Sequence, residues 1–237
     1  MSFYKNLASY YDRIFPLNQI ALSFITQYFQ EGEVVLDMGA GTGNMAIALA
    51  EKGLYVTASE PEETMAESIR QKSKLKELSV NVHTKTMEQI GEFQGSFDGV
   101  VCIGNTLPHL PTVEAVEDYL LQCNRKLKKD GVLIVQQVNY DKVLANEDFT
   151  FPVIEKEDFR FTRHYQKNDE QILFTSRLTV DGNTTESTIP LYPVTSKQLI
   201  SLLKKVGFQT TEIYGDFKAE NHTIESAAMI AVARKIA

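Results

Sequence analysis

The chain has 237 residues, 43% of them hydrophobic, enough to close one α/β core as a single domain over 1–237. A formal net charge of −7 without any concentrated basic stretch argues against a general nucleic-acid binder. No apolar run approaches membrane-spanning length, no leader pattern opens the chain, and Cys102 and Cys123 read as buried thiols of a reducing, cytoplasmic setting.

In chain order, the aromatic run Tyr10–Pro16 leads into an amphipathic helix over Asn18–Gln30, so residues 1–30 form an N-terminal helical cap. Strands are predicted at Val34–Met38, Tyr55–Ser59, Val80–Thr84, Phe97–Ile103 and Val132–Val138. Helical patterns fill Asn44–Lys52, Glu62–Leu75 and Thr112–Leu127 between them. Lys126, Lys128 and Lys129 cluster at a helix end, where cations are favoured, and Gly131 marks a turn before the fifth strand. Strands separated by helices of this length imply a doubly wound, mostly parallel sheet.

After Tyr140 the rhythm changes. Phe159–Lys167 and Gln171–Val180 are β-type runs joined by a polar turn, and Asp181-Gly182 leads into Thr184–Ile189. These antiparallel hairpins form an insertion over 141–195 that is expected to lie over the strand ends as a lid. A helix at Ser196–Val206, stopped by Gly207, and strands near Gln209–Tyr214 and Ser226–Val232 complete a seven-stranded sheet.

The most informative stretch is Asp37-Met38-Gly39-Ala40-Gly41-Thr42-Gly43, where a strand meets a helix N-terminus. The glycines fall as G-x-G-x-G directly after an acid, not as the G-x-G-x-x-G of a dinucleotide loop, and no Lys-Ser or Lys-Thr pair follows. Glycines leave no side chains between the backbone and a ligand, and Asp37 puts an anionic acceptor beside the turn. The loop is therefore shaped for an amino-acid-like, positively charged ligand. Glu60 ends the second strand, where a carboxylate accepts from vicinal ribose hydroxyls.

With these features the sequence resembles the class I S-adenosylmethionine-dependent methyltransferases, whose first motif has the form D-x-G-x-G-x-G. The resemblance implies S-adenosylmethionine as cofactor, with Asp37, Gly39, Ala40, Gly41 and Gly43 flanking its methionyl part and Glu60 and Pro61 at the ribose. It places Met87 at the adenine, Ile103 and Gly104 beside the cofactor, and Tyr11 over it. No metal is called for.

Three further segments narrow the likeness. Gly104-Asn105-Thr106-Leu107-Pro108-His109-Leu110, Asn139-Tyr140-Asp141 and Gly215-Asp216-Phe217-Lys218 resemble motifs of the glycine and glycine/sarcosine N-methyltransferases. That group carries an arginine before Asn-Tyr-Asp to clamp the acceptor's carboxylate, and here the position is Val138. Arg160, Arg163 and Arg177 on the lid strands are the candidates to replace it, Arg163 foremost. Asn105 and Tyr140 are expected to hold the acceptor, Asn105 through its carbonyl oxygen, with His109 as base. The expected reaction is methyl transfer to nitrogen of a small-molecule amine or amino-acid-like compound, possible as a homo-oligomer and without nucleic-acid or membrane partners. A sensor that binds the cofactor without turnover is the alternative.

Overall fold

The computed structural model describes residues 3–146 and 148–236. Its elements in order are α1 (Phe3–Ile14), α2 (Gln19–Thr26), β1 (Val34–Met38), α3 (Asn44–Glu51), β2 (Tyr55–Ser59), α4 (Glu63–Leu75), β3 (Val80–His83), β4 (Phe97–Cys102), α5 (Val113–Lys126) and β5 (Leu127–Val138). There follow α6 (Tyr140–Leu144), β6 (Asp148–Thr150), β7 (Ile154–Glu155), β8 (Phe159–Asn168), β9 (Gln171–Val180), β10 (Asn183–Leu191), α7 (Ser196–Lys205), β11 (Thr210–Tyr214) and β12 (Ala228–Arg234).

The first sheet has seven strands in the order β11-β12-β5-β4-β1-β2-β3, and β12 alone runs against its neighbours. The period of two sorts its side chains between two apolar layers. In β5, Leu133 and Val135 join Leu36, Met38 and the α5 and α7 face, while Val132 and Ile134 join Val35, Val56 and the α2 and α3 face. Strands buried on both faces read as continuous apolar runs, which is why they were predictable from sequence.

The second sheet is antiparallel, in the order β10-β9-β8-β6, with β7 also on β8. Leu7 and Ile14 of α1 pack against its Phe159, Phe161 and Leu178, and Tyr140 and Val143 of α6 against its Tyr165 and Ile172. Helix α1 is also tied to the first sheet's helices. Asp12 bonds the Thr42 hydroxyl and pairs with Lys72 of α4 at 2.7 Å, while Arg13 holds Asp158 through two bonds of 2.6 and 2.7 Å.

Several boundaries differ from the sequence reading. The helix expected over Asn18–Gln30 ends at Thr26, although Asn18 does cap it by accepting from Ile20 and Ala21 N–H. The fifth strand begins at Leu127, not Val132. Asp130 has φ +63, and the pairing register with β4 shifts between Phe97 and Gly99, so Gly131 sits within an irregular strand and not in a turn ahead of it. Met87–Glu92 forms a 3₁₀ turn that no periodicity announced.

Candidate active site

The glycine loop folds back onto the end of β2. Gly39 and Ala40 both donate their N–H to the Ser59 carbonyl, at 2.8 and 3.0 Å. Gly39 has φ +74, and a Cβ there would meet the Thr106 side chain. Gly41 has φ +58 and lies under Tyr11, whose Oη would be 3.0 Å from an added Cβ. Both positions exclude other residues, through handedness and through space.

Glu60 is 9% exposed, and both its oxygens are anchored. Oε2 accepts from Gly41 N–H at 2.9 Å and Oε1 from Glu62 N–H at 3.0 Å. Burial raises its pKa above the ordinary carboxylate value despite these bonds.

A cavity of about 470 Å³ opens over these groups. Of the residues expected from sequence, Tyr11, Gly39, Gly41, Glu60, Pro61, Met87, Gly104, Asn105, His109 and Arg163 line it. Ala40, Gly43, Ile103, Tyr140 and Asp37 stand behind this lining. Ala40 and Ile103 pack on the α2–α3 apolar layer, and Gly43 caps α3 against Ile69. Asp37 is 1% exposed and turns beneath the loop toward Ala46 N–H, leaving Oδ2 without a hydrogen-bond partner among the described residues. It supports the loop from below and does not present an acceptor at the cavity surface.

Asn105 sits at φ +67, a left-handed position that asparagine tolerates. Its orientation is fixed by Val138 N–H, which donates to Oδ1 at 3.0 Å. Its amide nitrogen therefore faces the hydroxyls of Tyr165 at 2.9 Å and Tyr140 at 3.2 Å. The carbonyl oxygen expected to orient the methyl acceptor thus already accepts from Val138 N–H and lies 3.3 Å from the Tyr140 hydroxyl. Tyr165 lines the cavity and was missed from sequence, where a tyrosine in an alternating strand reads as an ordinary β-former. Tyr140 is 1% exposed and touches the site through this hydroxyl cluster.

The other motif residues prove structural. Asn139 donates to the carbonyls of Thr223, Ile224 and Ser226 at 3.0–3.1 Å, and Asp141 accepts from Ser196 N–H at 3.2 Å. Asp216 closes a turn by accepting from Lys218 and Glu220 N–H.

Among the three candidate arginines, only Arg163 lines the cavity. Arg160 is exposed, and Arg177 is exposed and paired with Glu186. The Arg163 guanidinium lies 4.7 Å from the Phe151 ring centroid, 5.5 Å from Phe15 and 5.8 Å from Phe161. His109 is exposed to the cavity lumen, yet the protein around it lowers its pKa by desolvation, so the ring is neutral at pH 7.

A methyltransferase-domain family profile matches residues 35–131, the segment that builds the glycine loop and the Glu60 strand end. The chain is 27% identical over 211 residues to a glycine/sarcosine N-methyltransferase of Aphanothece halophytica, covering 85% of this chain and 76% of that one. The solved CcbJ methyltransferase of Streptomyces caelestis superposes with a TM-score of 0.85 at 19% identity, over 100% of this chain and 99% of the other. With a methyltransferase domain at residues 35–131, the chain is an S-adenosylmethionine-dependent methyltransferase. An amino pentose methyltransferase of Micromonospora echinaspora, solved with its S-adenosylmethionine, shares the fold at a TM-score of 0.71 and 16% identity, over 99% of this chain and 98% of that one.

The methyltransferase's cavity suits its cofactor. The bare backbone at Gly39 and Gly41 leaves room for a methionyl chain, and Glu60 has lone pairs left for ribose hydroxyls. Glu60 has no ion-pair partner among the described residues, so its carboxylate is open to a ligand that brings donors or positive charge. A Glu60→Gln variant should bind S-adenosylhomocysteine about 1–3 kcal/mol more weakly, measured by calorimetry. Whichever way the amide turns, its NH₂ faces a backbone N–H. Unchanged affinity would remove Glu60 from the ribose.

Burial, then the nearby Glu60 charge, pushes the Asp37 pKa up to about 7. The folded state then holds a proton that the unfolded chain releases at its ordinary 3.8, so stability falls as pH rises from 3.8 to about 7 and stays lower above that. Asp37→Asn should therefore gain in thermal midpoint over the wild type as pH rises through this window, without cofactor. A difference that does not change with pH would contradict this account.

Proposed function

We propose that the enzyme transfers a methyl group to the nitrogen of a small-molecule amine or amino-acid-like acceptor. The observation that carries the reading is the Asn105–Tyr165–Tyr140 cluster at the cavity wall, together with the neutral ring of His109. Bound S-adenosylmethionine supplies an electrophilic methyl whose leaving group, a neutral thioether, needs no proton. The protein's task is to present an unprotonated lone pair in line with that methyl.

Asn105 fixes the Tyr165 hydroxyl by donating to it at 2.9 Å, and the Tyr140 hydroxyl holds it from a second side at 3.5 Å, so an oriented phenol stands at the wall where the acceptor must lie. A neutral imidazole at His109 has a ring nitrogen able to take the proton the amine must lose. Phe151, Phe161, Phe174 and Val138 keep this end of the cavity apolar and exclude water. The glycine/sarcosine N-methyltransferase relative supports nitrogen as the target, and the cavity of about 470 Å³ and the acidic chain support a small molecule over a nucleic acid. The two buried free thiols suit a reducing cytoplasm.

The test is product identification by mass spectrometry with S-adenosylmethionine and a panel of amines, amino acids, amino sugars and phenols. N-methyl products are expected. Methylation confined to hydroxyl oxygens would overturn the nitrogen assignment while leaving the enzyme class intact.

A further inference from the structure

The β8–β9 hairpin presents one face to the cavity, and its chemistry follows the period of two. Phe161, Arg163 and Tyr165 alternate along β8, and Phe174 and Ser176 face the same space from β9, with Ser176 directly across from Arg163. Arg163 is the unusual member. Its Nε is buried without a hydrogen-bond partner among the described residues, and no carboxylate there pairs with its guanidinium. Burial lowers its pKa, yet a guanidinium stays charged. Three aromatic faces compensate part of the lost hydration. They offer nothing to the in-plane N–H groups, which are the directional part of the side chain.

We infer that Arg163 is the carboxylate clamp of the active site, delivered by the antiparallel sheet and completed by the buried Ser176 hydroxyl across the hairpin. A carboxylate fits better than a phosphate. The planar fork matches its two oxygens, and one guanidinium in an apolar box neutralises a monoanion but leaves a dianion in excess. The cavity's other cation, Lys85, is already paired with Glu92. Two carboxylates reach this cavity, that of an amino-acid-like acceptor and that of the cofactor's methionyl group. The first deepens the proposed function. The second holds whichever atom is methylated, so the clamp survives a failure of the nitrogen assignment.

The experiment compares Arg163→Gln and Arg163→Lys with the wild type, each checked for an unchanged thermal transition. One arm measures affinity for S-adenosylmethionine and its decarboxylated form. The other measures KM for accepted amino acids and for the corresponding amines lacking the carboxylate. Arg163→Gln should weaken the carboxylate-bearing ligand in one arm by about 10- to 100-fold and leave its decarboxylated counterpart unchanged. The arm that moves names the source. Arg163→Lys keeps the charge without the fork, and should show a smaller loss in the same arm; it alone carries the test should the glutamine variant fail to fold. Equal losses for ligands with and without the carboxylate, or no loss in either arm, would overturn the clamp and leave Arg163 as packing.

Discussion

A Gly39→Ala variant is expected to lose detectable binding of S-adenosylhomocysteine in calorimetry and to melt on the order of 10 °C lower. The backbone at Gly39 is left-handed, at φ +74, which costs an L-residue about 1–2 kcal/mol. The added methyl also meets the Thr106 side chain, and overpacking adds about 1–3 kcal/mol. In a chain of this length each kcal/mol moves the midpoint by about 2–4 °C. Binding suffers further because Gly39 and Thr106 are both walls of the cavity, so any relief by movement reshapes the cradle. Gly95→Ala is the control. Its φ of +79 is as left-handed, but nothing lies within 4 Å of the new methyl. That variant should carry the backbone term alone and bind the cofactor normally. A Gly39→Ala protein that binds as tightly as the wild type would show that this loop does not cradle the cofactor.

Asn105→Ala should lower kcat/KM by about 10²- to 10³-fold while leaving affinity for the cofactor close to that of the wild type. The change removes the acceptor of Val138 N–H and the donor that orients the Tyr165 and Tyr140 hydroxyls. Each unsatisfied group costs about 1–3 kcal/mol, and in-line displacement is sensitive to small misplacements. Asn105→Asp separates orientation from integrity. A carboxylate still accepts from Val138 N–H, but it draws the phenol protons toward itself, so Tyr165 is turned without being released. Near-normal stability with reduced turnover is the expected outcome, read from thermal melts and steady-state rates. Normal turnover in both variants would remove the cluster from the reaction.

The cofactor half of the site was legible because its chemistry is local. An acid, three alternating glycines and a second acid one strand later fall within Asp37–Glu60, and the turn they form needs no distant partner. The side on which Asp37 would lie was not legible, since spacing does not reveal that its carboxylate turns under the loop toward α3. The acceptor half depends on pairing between segments far apart in the chain. Tyr165 meets Asn105 across sixty positions, and Arg163 faces the cavity only because of the register of β8 on β9. One signal was available: an arginine that shares a strand face with Phe161 and Tyr165 is badly placed for water. Helix α1 was obscured for the same reason, because Leu7 and Ile14 find their partners in strands formed some 150 residues later. The Asn139 and Asp216 motifs were recognisable by letter, yet their work is to pin loops.

A single carboxamide, that of Asn105, rivets three separate pieces of backbone: the bend after β4, the tip of β5 and, through Tyr165, the hairpin. Fraying of the outer strands and loss of catalytic alignment are thereby one cooperative event. Breathing at the hairpin's rim is transmitted to the seat of methylation, and whatever stiffens that rim also keeps the seat assembled.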